Sequence, residues 1–126
     1  MTNTEELIAE GLTAFTLMAH NNSRAAGWYS DLETGEALDR NVPEMMALIH
    51  SEISEALEAF RKNLKDEKLP ERDGVEVELA DAMIRIADLA AYLRCDIGAA
   101  VIQKMRFNKT REDHKIQNRK QGGKKF

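Results

Sequence analysis

Apolar residues recur at helical spacing in four stretches of this chain, and polar, turn-forming stretches separate them. The spacing predicts a first helix over residues 4–20, carrying Leu7, Ile8, Leu12, Phe15 and Met18, with Glu5 and Glu6 in its first turn. The pattern then stops. Residues 21–40 hold Gly27, Gly35 and an isolated Trp28-Tyr29 pair, which reads as a long ordered loop. A second helix is expected to open at Pro43, with Asn41 or Val42 before it, and to reach about residue 65. Its apolar stripe would be Met46, Ile49, Ile53, Leu57, Phe60 and Leu64, and Pro70 with Asp73-Gly74 would form the connection that follows. A third helix over 75–94 is apolar around most of its circumference and is therefore expected to be the most buried. A fourth over 97–111 would present Ile97, Val101, Met105 and Phe107. Residues 112–126 are basic and polar, and are expected to form a tail that is partly disordered or docks on a partner.

This pattern predicts an all-α fold in a single domain, a four-helix bundle completed by oligomerisation. The chain has 126 residues, which suits one core rather than two. Its 2 prolines and 7 glycines leave helix-favouring residues dominant. A third helix greasy on most sides leaves apolar surface for a second copy, so a dimer or tetramer is expected. The 6 methionines fall mainly at core spacing and are assigned to core or subunit interface. The single Cys95 excludes an internal disulfide and is assigned to packing. The N-terminal residues lack a signal-peptide pattern, and the most apolar run is broken by Arg85 and Asp88, so a cytoplasmic protein outside the membrane is expected.

Charge sharpens the picture. Residues 1–103 carry 20 Asp/Glu against 9 Lys/Arg, whereas residues 104–126 carry 9 Lys/Arg against 2 acids. The acidic body argues against a general nucleic-acid surface and suits an anion brought in by a cation. Glu52 and Glu55 stand three apart on the second helix, Glu52 at the border of the apolar stripe. Glu78, Asp81, Arg85 and Asp88 form one charged stripe on the otherwise greasy third helix. Packed antiparallel, the two helices would bring two acidic pairs together, a donor set for divalent ions such as Mg²⁺. The plain alternative is that Glu52 and Glu55 are solvated and that Arg85 neutralises Asp81 and Asp88 within its own helix. Lys104, Asn108 and Arg111 share a face of the fourth helix and suit phosphate oxygens, unless they only compensate the helix dipole. His50 is read as a surface histidine.

The segments IHSEISEALEA (49–59), ELAD (78–81) with IRIADL (84–89), KMRFNKTR (104–111) and GGK (122–124) resemble the MazG-like all-α nucleoside triphosphate pyrophosphohydrolases. Gln121 stands where that family often has His before the paired glycines. The resemblance implies Mg²⁺-dependent cleavage of a (deoxy)nucleoside triphosphate to the monophosphate and pyrophosphate, with Mn²⁺ as a substitute ion, by an assembly of helical subunits. It implies Glu52, Glu55, Glu78 and Asp81 as catalytic metal ligands and Lys104, Asn108 and Arg111 as phosphate ligands. It also implies a substrate-binding part for His20, Asn21 and Trp28, the last as a base-stacking or pocket-closing ring, with a buried ring plugging a subunit contact as the equal alternative. The competing reading is a non-enzymatic helical interaction module whose basic tail binds nucleic acid, and metal dependence separates the two.

Overall fold

A computed structural model describes residues 1–126, and it is all-α. Four helices, α1 (Asn3–Ala25), α2 (Val42–Lys62), α3 (Gly74–Tyr92) and α4 (Ile97–Thr110), are followed by a 3₁₀ turn (Glu112–His114) and a short α5 (Ile116–Lys120). No helix is long and apolar enough to cross a membrane. The chain divides into two compact units, one of Met1–Ala14 with Asp96–Phe126 and one of Phe15–Cys95. The segment expected to be a partly disordered tail therefore holds local helical structure, with the Asn118 side chain donating to the Glu112 carbonyl.

In the larger unit, three helices close in the same way. Trp28 donates its backbone N–H to Ser23 and Gly27 donates to Arg24; Leu64 and Asn63 repeat the pattern on Ala59 and Phe60, and Cys95 and Arg94 on Ala90 and Ala91. The turning residues Gly27, Asn63 and Arg94 all take positive φ. This is the left-handed closure that satisfies the last carbonyls of a helix. Contrary to the expected end at residue 20, α1 continues to Ala25, because nothing before Gly27 supplies that closure. Asn63, second only to Gly in tolerating the left-handed region, ends α2 before residue 65. At its other end, the Asn41 side chain accepts from the Glu44 N–H, so Val42 and Pro43 open the helix.

α2 and α3 form an antiparallel pair, with Ala59 beside Gly74, Glu52 beside Arg85, and Met45 beside Leu89. Small residues let them approach: Ala56, Ala59, Ala82, Ala87 and Ala90 are buried, and a Cβ on Gly74 would lie 3.0 Å from that of Ala59. Tyr29, Met45 and Leu89 form the core cluster, with Val42, Ile49 and Tyr92 against it. The loop between α1 and α2 is ordered, as expected. It folds into a small hairpin through the Ser30–Ala37 bridge, and the Asp31 carboxylate accepts from the Glu33 and Thr34 N–H groups.

The buried faces differ from those the periodicity suggests. Met46, Ile53, Leu57, Phe60 and Leu64 are exposed in the single chain, while Met45, Glu52, Ala56 and Ala59 face α3. The third helix likewise buries one side only and exposes Leu79, Met83, Ile84 and Ile86. Apolar periodicity finds the greasiest side of a helix, whereas close packing of two helices selects the side with the smallest residues. Met18, Met46, Met83 and Met105 are also exposed, as are Cys95 and Phe107.

In the smaller unit, α4 meets the first half of α1 at Gly98, where a Cβ would lie 2.5 Å from the Ala9 carbonyl oxygen. Ile102 is buried rather than Met105, and Arg106 pairs with Glu5.

A candidate metal centre beside a cavity

The α2–α3 pair brings oxygens of Glu52, Glu55 and Glu78 within 4.8 Å of one another. Three apart on α2, Glu52 and Glu55 look toward the same turn of α3, from which Glu78 projects. Glu52 is only 8% exposed. Its Oε1 accepts from Arg85 Nε at 2.9 Å, so Arg85 pairs across the helices and does not serve Asp81 and Asp88 along its own helix. Glu78 Oε2 is buried and has no hydrogen-bond donor. A buried anionic oxygen in that position calls for a proton or a cation.

The electrostatics follow from this crowding. Burial, reinforced by the neighbouring Glu52 and Glu55 carboxylates, raises the Glu78 carboxyl to about 8. Burial also pushes Glu52 upward, but the Arg85 guanidinium and the contacts with Glu78 and Glu55 outweigh it and hold Glu52 below the ordinary carboxylate value. Asp81 is raised by burial and by the charge of Glu52. Asp81 does not join the three converging carboxylates. Instead it lines the cavity next to them, so three of the four expected acids form one donor set. Three convergent carboxylates with an unsatisfied oxygen suit a hard divalent cation.

The cavity measures about 780 Å³, within the range that holds small-molecule ligands. Glu52, Asp81, Arg85 and Asp88 supply its polar wall, and Phe15, Met18, Leu48, Ile84 and Trp28 are among its apolar residues. Trp28 stands 64% exposed on that wall in the single chain. The loop beneath it is held by Arg40, whose guanidinium donates to the Trp28 carbonyl at 3.0 Å and sits over the Tyr29 ring. Arg40 N–H in turn donates to the Tyr92 hydroxyl at 2.9 Å.

His20 acts one step behind the wall. Its Nδ1 lies 2.9 Å from Asp88 Oδ1, and the Tyr29 hydroxyl donates to the same oxygen at 2.9 Å. Burial and this bond raise the Tyr29 hydroxyl pKa, which keeps it a donor. Asn21 is exposed and does not line the cavity; the next residues, Asn22 and Ser23, do. A helix continuing through this segment turns Asn21 away, a consequence of α1 ending at Ala25 rather than at residue 20. His50 is exposed, as expected.

Lys104, Asn108 and Arg111 belong to the smaller unit. Lys104 lies over the Phe107 ring at 4.9 Å, and Asn108 Oδ1 is buried without a donor. Arg111 is not on the helical face but at its C-cap, with extended backbone and two hydrogen bonds to Asp113. The three thus do not form the continuous helical stripe expected.

Sequence reasoning missed Arg40, Tyr29 and the cross-helix role of Arg85. The charged stripe on α3 contained the signal for Arg85 and Asp88, but their partners come from elements far along the chain. Comparison with family profiles, curated proteins and solved structures finds no significant match to this chain.

Proposed function

We propose that the protein is a Mg²⁺-dependent nucleoside triphosphate pyrophosphohydrolase of MazG-like type, working as a homo-oligomer and releasing a monophosphate and pyrophosphate. The observation that carries this reading is the convergence of Glu52, Glu55 and Glu78 across two helices, at the edge of a cavity large enough for a nucleoside. The donor set fits the ion, because Glu78 Oε2 is buried with no donor of its own. A bound divalent ion would neutralise phosphate charge and activate water.

The chain's own residues account for the remaining requirements. Glu52, Glu55 and Glu78 would hold the cation, with Asp81 beside them. One of these carboxylates orients the attacking water and takes its proton as the new P–O bond forms and the bridging P–O bond breaks, with pyrophosphate leaving. Arg85, on the cavity wall and paired with Glu52, would offer its guanidinium to the phosphate oxygens. Lys104, Asn108 and Arg111 are further phosphate candidates. Trp28 offers an aromatic face to the base. Control of nucleotide pools implies a cytoplasmic protein.

The test is pyrophosphate release from a panel of common and modified nucleoside triphosphates, with Mg²⁺, with Mn²⁺ and with chelator. Metal-dependent release is expected, and Glu55→Gln should lower it by about a hundredfold or more while leaving the helical content unchanged. Absence of release from every substrate, or full activity of Glu55→Gln, would overturn the reading. In that event a basic C-terminal segment binding nucleic acid in a salt-dependent manner becomes the reading to test.

A further inference from the structure

Asp88 is the acid of the charged α3 stripe that the metal reading does not use. It lies about 10 Å beyond Asp81 and about 15 Å beyond Glu78 along the helix, at the 1.5 Å rise of each residue. That separation puts it away from the phosphate end of a ligand held by the carboxylate cluster, where a further negative charge would repel phosphate. It nevertheless lines the same cavity, in company with Trp28.

The hydrogen bonding of Asp88 is one-sided. Oδ1 accepts from both His20 Nδ1 and the Tyr29 hydroxyl, each at 2.9 Å, which occupies its two lone pairs. Oδ2 receives no hydrogen bond from the protein, and the side chain is only 15% exposed. The His20 and Tyr29 rings meet edge to face at 4.8 Å, so the carboxylate is fixed in orientation from behind. The cavity therefore presents, away from the Glu52 and Asp81 end of its wall, an acceptor held in a fixed orientation. A ligand reaching it must bring a donor.

We propose that Asp88 is a specificity-determining residue that selects nucleotides whose base carries an amine where uracil and thymine carry O4, cytosine or adenine, over uracil and thymine. The inference rests on the nucleotide reading above. Cytosine presents an N4 amine and adenine an N6 amine where thymine and uracil present an O4 acceptor, and an acidic side chain accepts from the amine. Thymine and uracil offer only the N3–H, flanked on both sides by the O2 and O4 acceptors, so the Asp88 carboxylate meets an acceptor oxygen whichever way the base turns. Guanine is matched by a carboxylate that uses both oxygens toward its adjacent ring N–H and amine. Here Oδ1 is already saturated, so that bidentate mode is closed.

Trp28, the single tryptophan, lines the cavity and supplies a fluorescence probe that needs neither turnover nor metal. The ligands to titrate are the monophosphates of deoxycytidine, deoxyadenosine, deoxyuridine and thymidine. The first two should bind about 10- to 100-fold more tightly than the last two, the discrimination expected of one charge-assisted hydrogen bond. Asp88→Asn, whose amide can turn a donor toward O4, should abolish or invert the ratio. An Asp88 that merely held the loop would weaken all four ligands together and leave the ratio unchanged.

Equal binding of the cytosine and uracil nucleotides by the natural protein, no response to any of them, or an unchanged ratio in Asp88→Asn would overturn the proposal. If Asp88→Asn does not fold, the deoxycytidine analogue with hydrogen in place of the amine decides: binding as tight as deoxycytidine monophosphate also overturns it. Amine-selective binding without pyrophosphate release from any triphosphate would sink the hydrolase reading and leave this one standing. Hydrolysis indifferent to the base would do the reverse.

Discussion

Glu78 is the side chain whose charge the fold bears on most directly. Its carboxyl titrates at about 8 in the metal-free fold, against an ordinary value of 4.5. An acid whose pKa is raised on folding binds its proton more tightly in the native state. Its contribution is fully favourable below pH 4.5 and is lost as pH rises toward 8. The metal-free protein should therefore show a Tm component that falls across that window, and Glu78→Gln, neutral throughout, should flatten it. Added Mn²⁺ should restore stability most at the alkaline end, because binding there displaces the least proton. Scanning calorimetry of both proteins across this pH range, with and without the ion, measures the slope difference. An identical slope in the two metal-free proteins would show that Glu78 is not crowded by its neighbours.

Helix ends carry the next scale of control. The three left-handed closures of the larger unit use Gly27, Asn63 and Arg94, and only the last places a long side chain there, at φ 58°. An L-residue pays a conformational penalty in that region that glycine does not. Arg94→Gly should consequently stabilise the protein by about 0.5–1 kcal/mol, since the unfolded chain's gain in freedom offsets part of the relief. Urea unfolding followed by circular dichroism checks this, and a loss of stability would mean that the Arg94 side chain contributes contacts exceeding the backbone strain. The same element-level logic explains why helix existence was legible from periodicity while helix ends were not. α1 runs to Ala25 because Gly27 completes its closure, and a polar composition after residue 20 does not terminate a helix by itself.

At the scale of the molecule, the single chain leaves Ile53, Leu57 and Phe60 of α2 and Met83 and Ile86 of α3 in solvent, with Phe60 as much as 72% exposed. Exposed apolar residues in this number, on adjoining helices, favour burial against a second copy. Light scattering at micromolar concentration should give at least the mass of a dimer, and Leu57→Glu with Phe60→Glu should shift it toward monomer. A natural protein that remains monomeric would count against an assembly through these faces.

The linear pattern determined that the chain is helical, where four helices lie, and that Glu52 and Glu55 share one side of the second helix while Glu78 opens the charged stripe of the third. These properties follow from local propensity and from the fixed geometry of a helix, which sequence spacing encodes directly. Tertiary structure alone decided which helix face is buried, because the α2–α3 contact selects Ala56, Ala59 and Ala82 for their small size over the greasier Ile53 and Leu57. It also decided that Arg85 reaches Glu52, that Asp81 stands on the cavity wall outside the carboxylate triad, and that His20 and Tyr29 meet at Asp88. Each of those contacts joins residues from different elements, and its geometry depends on how the helices pack, a quantity that no spacing along one chain segment contains.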